Sequence, residues 1–253
     1  MAAKPNVPLD VARAIWRALT NSQYSVGRRV AIVCGFVASG FRLAAGTVVG
    51  RLGPRPAKPL ILWDRESDAH CRAVRESLSS LDLDVEIRPC PQGGTRFVSQ
   101  VKTGGLPQLE DPNQGKTLNG SAEILAWLHQ QYGTGKAPAF RNSGLFIALS
   151  GFWVSWFTWH RGTAVRASVA PVKPLEVWAF ESSPFCRLVR ETLCEYEVPW
   201  LLHNVAKGSP RRAEFVARSG KMQVPWLVDS NTGVQMFESL QIQQYIATTY
   251  GPK

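Results

Sequence analysis

The chain repeats itself. With Leu60 set on Leu175, ten positions agree without a gap: Leu60, Trp63, Glu66, Ser67, Cys71, Arg72, Val74, Arg75, Glu76 and Leu78 match Leu175, Trp178, Glu181, Ser182, Cys186, Arg187, Val189, Arg190, Glu191 and Leu193. The offset is 115 there and 118 further on, where Pro107, Ser121, Ile124, Tyr132 and Gly133 match Pro225, Ser239, Ile242, Tyr250 and Gly251. A three-residue insertion in a loop explains the change. Two copies of one unit of about 75 residues therefore have to fold alike, which fixes the architecture before any single element is assigned.

Each copy reads as a short apolar strand (59–63 and 175–180), a turn, and a helix beginning near Ala69 or Pro184. Pro184 suits the first helical position, where its missing N–H costs nothing, and Ser183 before it can cap the free amides. Leu188, Leu193 and Val198 recur at helical spacing, with Arg and Glu between them. A second strand at 200–204 lies parallel to the first across this short crossover. A polar segment follows, then an apolar run at 222–229 broken by one proline, a turn at Asp229-Ser-Asn-Thr-Gly, a strand at 234–237 and a closing helix from Ser239 to about Tyr250. Strand–helix–strand followed by strand–strand–helix is the thioredoxin-fold order, so the fold class is α/β, with two tandem thioredoxin-like domains and apolar helices before and between them. The domains run 59–133 and 174–253, with a basic, apolar N-terminal segment at 1–58 and a linker at 134–173. A proline opening a strand marks an edge or a bulge, or else a cis peptide at Leu106-Pro107 and Val224-Pro225.

Charge separates these regions. The chain of 253 residues carries 29 Lys and Arg against 19 Asp and Glu, for a net +10. Residues 1–58 hold nine bases and only Asp10, and residues 134–173 hold five bases and no acid, whereas the first copy is net acidic and the second balanced. The basic excess coincides with the long apolar stretches, a pairing that suits an anionic membrane surface. No basic stripe interleaved with stacking aromatics is present, so no nucleic-acid partner is expected. Five cysteines, Cys34, Cys71, Cys90, Cys186 and Cys194, make neither a dense disulfide framework nor a metal knuckle. His129, His160 and His203 give no metal spacing, so no metal is expected.

Ser183-Pro-Phe-Cys186 at a helix start, Val224-Pro225 opening a strand and Phe237-Glu238-Ser239 before the last helix resemble the N-terminal, glutathione-binding half of glutathione transferases, and glutaredoxins. Together with Leu52-Gly-Pro-Arg-Pro, the duplicated Glu-Ser…Cys-Arg-x-Val-Arg-Glu, Ala206-Lys-Gly-Ser-Pro and Met236-Phe-Glu-Ser, they resemble a plant and algal plastid family with two such domains in tandem. The resemblance runs from about residue 50 to the end. It implies a chloroplast protein attached to thylakoid membranes, with glutathione as its small-molecule partner and a membrane surface or photosynthetic complex as its larger one. The competing reading is a non-catalytic subunit or an assembly or repair factor of such a complex.

The resemblance also distributes roles. Ser183 stands where glutaredoxins place their nucleophilic thiol; a hydroxyl cannot exchange with a disulfide, but it can donate a hydrogen bond to the thiolate of bound glutathione. With Phe185 beside it, the Val224 backbone ahead of Pro225 would pair with the glutathione cysteine in strand fashion, and Glu238 and Ser239 would hold the γ-glutamyl end. For Glu238-Ser239 the plainer reading is a helix cap with an acid in the first turn. Cys186 holds the resolving-thiol position and is either a small buried residue or a reactive thiol. Any activity would be that of a low-activity glutathione-dependent transferase or thiol oxidoreductase, because only Gly-Pro-Lys follows Tyr250, where complete transferases carry an all-helical domain.

The first copy departs from this pattern. Its motif is Asp68-Ala-His-Cys71, and an aspartate at the thiolate position repels the anion by about 1–4 kcal/mol in a partly desolvated site. Gly120-Ser121 also lacks the acid that Glu238 supplies, so this copy is not expected to activate glutathione. His70 and Cys71, being helix neighbours, point apart and form no catalytic pair.

Outside the copies, residues 145–159 run fifteen positions without a charge, flanked by Lys136 and Arg141 before and by His160, Arg161 and Arg166 after. Fifteen is short of the roughly 20 that cross a bilayer. Gly151, Ser155 and Thr158 form a small-residue stripe, and the helix could lie among headgroups, form a re-entrant hairpin with residues 30–49, or pack between the copies. Residues 30–49 are apolar apart from Gly35, Ser39, Arg42 and Gly46, the pattern of an amphipathic surface helix. No secretory signal and no transit peptide is evident.

Overall fold

The computed structural model describes residues 7–102, 105–140, 142–158 and 161–252. Arg141, Trp159 and His160, and the side chain of Ser155 in the small-residue stripe, lie outside the described residues.

Each copy forms the expected strands and helices. The first comprises β1 (Leu60–Asp64), α3 (Ala69–Ser80), β2 (Val85–Pro89), β3 (Gln108–Asp111), β4 (Lys116–Asn119) and α4 (Ser121–Tyr132). The second comprises β5 (Leu175–Ala179), α6 (Pro184–Glu195), β6 (Trp200–Asn204), α7 (Arg212–Ser219), β7 (Trp226–Asp229), β8 (Val234–Phe237) and α8 (Ser239–Tyr250). β1 pairs β2 in parallel and β3 antiparallel, and β5 pairs β6 and β7 in the same two senses. Leu106-Pro107 and Val224-Pro225 are both cis. The segment read as polar holds the helix α7. It goes unseen in the sequence because eight residues with Phe215 as the single buried side chain carry little periodicity.

The two sheets are one. β2 and β6 pair antiparallel, Val85 opposite Leu202 and Ile87 opposite Trp200, giving eight strands in the order β4-β3-β1-β2-β6-β5-β7-β8. A single apolar core runs beneath the join, containing Leu62, Val74, Leu78 and Ile87 from one copy and Val177, Val189, Leu193 and Trp200 from the other. Small features repeat as well. Asp111 Oδ2 accepts from Trp127 Nε1 and Tyr132 Oη, and Asp229 Oδ2 accepts from Tyr245 Oη and Tyr250 Oη.

Across the join, α3 and α6 exchange buried charges. Glu181 accepts from Arg75 Nε at 3.2 Å and lies 3.1 Å from Arg190 Nη2; Glu66 accepts from Arg190 Nε and Nη2 at 3.1 Å and lies 3.3 Å from Arg75 Nη2. Arg75 also donates to Asp64 at 2.5 Å. All five side chains are buried.

Three more helices complete the molecule: α1 (Val7–Thr20), α2 (Val26–Phe41) and α5 (Gly144–Thr158). α2 precedes the first copy but packs on the second, where Gly35 approaches Pro184 so closely that a Cβ would stand 2.8 Å from the proline's own. α5 precedes the second copy but packs on the first, with Gly151 pressed in the same way on Ala69. The duplication continues through this swap. At an offset of 116, Gly35, Phe36, Phe41, Gly46 and Thr47 match Gly151, Phe152, Phe157, Gly162 and Thr163. Gly46 and Gly162 both sit at positive φ, 77° and 73°, against the Glu76–Glu181 and Glu66–Glu191 pairs respectively, where a side chain would meet both strain and neighbours. No helix among the described residues is long and apolar enough to cross a membrane.

Candidate functional site

The start of α6 is built as the sequence suggests. Ser183 takes the extended conformation of an N-cap, its Oγ accepts from Cys186 N–H at 3.4 Å, and Pro184 occupies the first turn. Beside it lies a cleft of about 490 Å³ lined by Phe185, Gln223, Val224, Pro225, Glu238 and Ser239 from the second copy. The fold thus brings together five of the seven predicted site residues. No described residue pairs with the Val224 main chain, which stays available to a strand-like ligand. Glu238 is exposed at φ 68° and accepts from Gln223 Nε2 at 2.5 Å.

Ser183 and Cys186 stand elsewhere. Ser183 faces a neighbouring, largely apolar pocket of about 330 Å³ with Phe180, Phe36, Gly40 and Ala44, and Phe185 forms the partition between pocket and cleft. Its hydroxyl, having accepted from the Cys186 amide, still has a proton to donate. Cys186 is completely buried in the main core, and burial raises its thiol pKa, with Ser183 and the Phe180 backbone pulling the other way. Cys71, its counterpart, is buried likewise, and burial together with Asp64 and Asp68 pushes its thiol well up.

The opposite wall of the cleft comes from the N-terminal segment. Arg13, Arg17 and Asn21 from α1 and its C-terminal turn, with Tyr24, face Glu238 and Ser239. Arg28 of α2 donates through Nη2 to Ser239 Oγ at 2.6 Å and through Nη1 to Gln243 Oε1 at 2.7 Å. None of these residues was predicted for the site. Their only sequence signal is the basic excess of residues 1–58, which reads as a solvated or membrane-facing charge until α1 is seen folded back onto α8's end of the second copy.

The equivalent position in the first copy is occupied by its own side chains. Asp68 Oδ1 accepts from Cys71 N–H at 2.8 Å, and His70 Nδ1 lies 2.8 Å from Ser121 Oγ, the counterpart of Ser239. The helix start thus carries a carboxylate where the second copy has the Ser183 hydroxyl, and a carboxylate repels a thiolate. Among the described residues no group of His, Cys, Asp or Glu is placed to hold a metal ion.

Compared with protein families, residues 65–139 and 178–253 each match the model for the glutathione S-transferase N-terminal domain. The chain belongs to that family. Both copies of the domain are present, in agreement with the two halves of the sheet. No curated protein and no solved structure matches the chain. Domains of this family are associated with glutathione binding, and the cleft is bounded by the α6 start, the Val224-Pro225 bond and the α8 start.

Proposed function

We propose that the second domain binds glutathione in the cleft it shares with the α1–α2 hairpin and holds the tripeptide's sulfur as an anion beside Ser183. One observation carries this reading: the cleft's charges complement the ligand's. Glutathione offers two carboxylates and one ammonium group; the cleft offers Arg13 and Arg17 on one wall, Arg28 behind Ser239, and, as the one acid among the described lining residues, Glu238. The ammonium pairs with Glu238, and the γ-glutamyl carboxylate lies at Ser239 and Arg28. The glycyl carboxylate turns to Arg13 and Arg17. Val224 pairs with the cysteinyl main chain, and the thiolate points past Phe185 to the Ser183 hydroxyl and the amide end of α6, whose partial positive charge favours an anion. Cys186 packs the core and takes no step.

The apolar pocket on the far side of Phe185 gives the sulfur a partner with an apolar body. Its walls come from α1, α2 and the start of α6, so the N-terminal helices close this side of the site. The function is therefore thiol-linked binding or transfer at one domain, with the first domain as its structural partner.

The test is thermal unfolding with glutathione in saturating excess. A ligand at a hundredfold excess over its Kd stabilises by about 2.7 kcal/mol, and the midpoint rises accordingly. Arg13→Ala/Arg17→Ala and Glu238→Ala remove the rise, whereas Ser183→Ala keeps the rise but abolishes the downward shift of the bound thiol's pKa. A wild-type midpoint that does not move with glutathione overturns the reading.

A further inference from the structure

Among the described residues, the outward side of α5 and the adjoining side of α2 from Val30 to Phe41 are apolar, and Ser150 and Thr158 of α5 are turned away from it. Ser150 Oγ donates to Phe146 O and receives Arg42 Nη1, and Thr158 Oγ1 donates to Val154 O, both on the buried side. Outward stand Leu145, Leu149, Phe152 and Trp156, exposed by 73, 58, 62 and 66%, with Trp153 beside them. Phe41 of α2 stacks on Trp153 at 5.7 Å and carries the patch onto the Val30, Val37 and Phe41 stripe, all exposed. From Val30 to Phe41 and from Gly144 to Thr158 there is no charged residue. Exposed apolar surface this continuous marks a docking face.

We propose that this face seats the protein on an anionic lipid surface, with α5 lying in the plane of the headgroups. Three observations choose that occupant. The segments that build the face are those with the basic excess: five Lys and Arg and no acid in residues 134–173, nine against one in residues 1–58, of which Arg13, Arg17 and Arg28 stand at the cleft and Arg42, Arg55, Arg161 and Arg166 pair with acids. A second copy placed on the same face would bring two net-positive segments together, whereas anionic headgroups neutralise them. The outward side chains are also the right kind: tryptophan and phenylalanine flank leucine along one side, and indoles favour the boundary between headgroup and acyl chain. Finally, a fifteen-residue helix is ~22 Å long, less than the ~30 Å hydrocarbon thickness, and its inner side is committed to α2 and α3. It therefore lies on the bilayer and does not cross it. The outward apolar residues of this face are none of those that line the glutathione cleft, so either reading can fail alone.

The experiment is flotation of the full-length protein with vesicles of phosphatidylcholine alone or mixed with phosphatidylglycerol, at low and high salt. The protein floats with the anionic vesicles and is released by salt, and brominated acyl chains quench its tryptophan fluorescence. Phe152→Ser/Trp156→Ser lowers binding by about tenfold or more, as expected for two large apolar side chains withdrawn from the interface. Leu149→Glu does the same through a single charge. Circular dichroism verifies that both variants are folded, which is expected because each position is exposed. Absence of flotation with anionic vesicles, or flotation unchanged in both variants, overturns the proposal. So does a wild-type dimer in light scattering that Phe152→Ser/Trp156→Ser dissociates, since that result gives the face to a second copy.

Discussion

Replacing Glu181 by glutamine tests how the two domains are held together. Glu181 receives Arg75 Nε at 3.2 Å and stands 3.1 Å from Arg190 Nη2, with all three side chains essentially inaccessible. The substitution keeps the shape and removes the charge, so two buried guanidinium groups lose a shared carboxylate. Breaking a buried pair from one side costs about 3–5 kcal/mol, because the remaining charge stays desolvated without its partner. At about 2–4 °C per kcal/mol for a chain of this size, the unfolding midpoint falls by roughly 6–20 °C. The near-symmetry of the join adds a sharper expectation. Glu66 is held by Arg190 and Arg75 in the reciprocal arrangement, so Glu66→Gln should cost a similar amount. The control is Glu86→Gln, whose pair with Arg88 is about a quarter exposed on both sides and should cost about 1 kcal/mol or less. Urea unfolding followed by circular dichroism and by tryptophan fluorescence gives all three values. If Glu181→Gln and Glu66→Gln cost no more than Glu86→Gln, the buried exchange does not hold the domains together and the reasoning fails.

Two further outcomes follow from burial. Of the five thiols, Cys71, Cys90, Cys186 and Cys194 are buried and Cys34 is partly exposed; burial pushes Cys90 up to about 12 and raises the other three buried thiols as well. A thiol-specific reagent should therefore label one cysteine in the native protein and five after denaturation, and rapid native labelling at Cys186 would contradict its place in the core. The acids at the join give a pH signature. Burial lifts Asp64 to about 6 against the pull of Arg75, so its contribution to stability is present below its unfolded value near 3.8 and is lost as pH rises through 6. Burial also lifts Glu66, but Arg190 and Arg75 outweigh it and hold the carboxyl at about 2, so its contribution is present above 4.5 and lost as pH falls toward 2. The unfolding free energy of the wild type from urea titration should accordingly fall relative to Asp64→Asn between pH 4 and 6, by about 3 kcal/mol at 1.36 kcal/mol per unit; parallel profiles would count against the assignment.

The duplication made most of the sheet legible, since each strand proposed in one copy had to reappear in the other, and the parallel β5–β6 pair lies where the short crossover required. Leu188 and Leu193 marked α6, and Pro184 with Ser183 marked its start, because capping is a local property that three or four residues settle. What escaped is non-local. The pairing of β2 with β6 joins residues more than 100 positions apart, and no turn chemistry announces it. The matching of Gly35 with Gly151 was hidden because two apolar helices share few residue types even when they share a place. For Cys186 the motif position left a small buried residue and a reactive thiol both open, because whether a helix residue faces the core depends on what α6 packs against. Arg13, Arg17 and Arg28 were counted as surface charge because nothing in their own neighbourhood says that the N-terminal segment folds back across the molecule to the last helix.

That fold-back explains why the two domains have diverged in opposite directions. Each domain's helix start is covered by a helix belonging to the other half, α2 over α6 and α5 over α3, so each exposes its cleft only to what its cover allows. Over α6 the cover continues into α1, which adds cations opposite Glu238 and leaves Ser183 beside an apolar pocket. Over α3 the cover is α5, whose outer face is apolar and uncharged, and the domain beneath has filled its own cleft with Asp68 and the His70–Ser121 contact. A carboxylate is tolerable at the start of α3 because no anion has to be received there; capping the Cys71 amide is then its whole task. One gene duplication thus yields a double sheet in which the second copy keeps an open cleft and the first is free to specialise in holding α5.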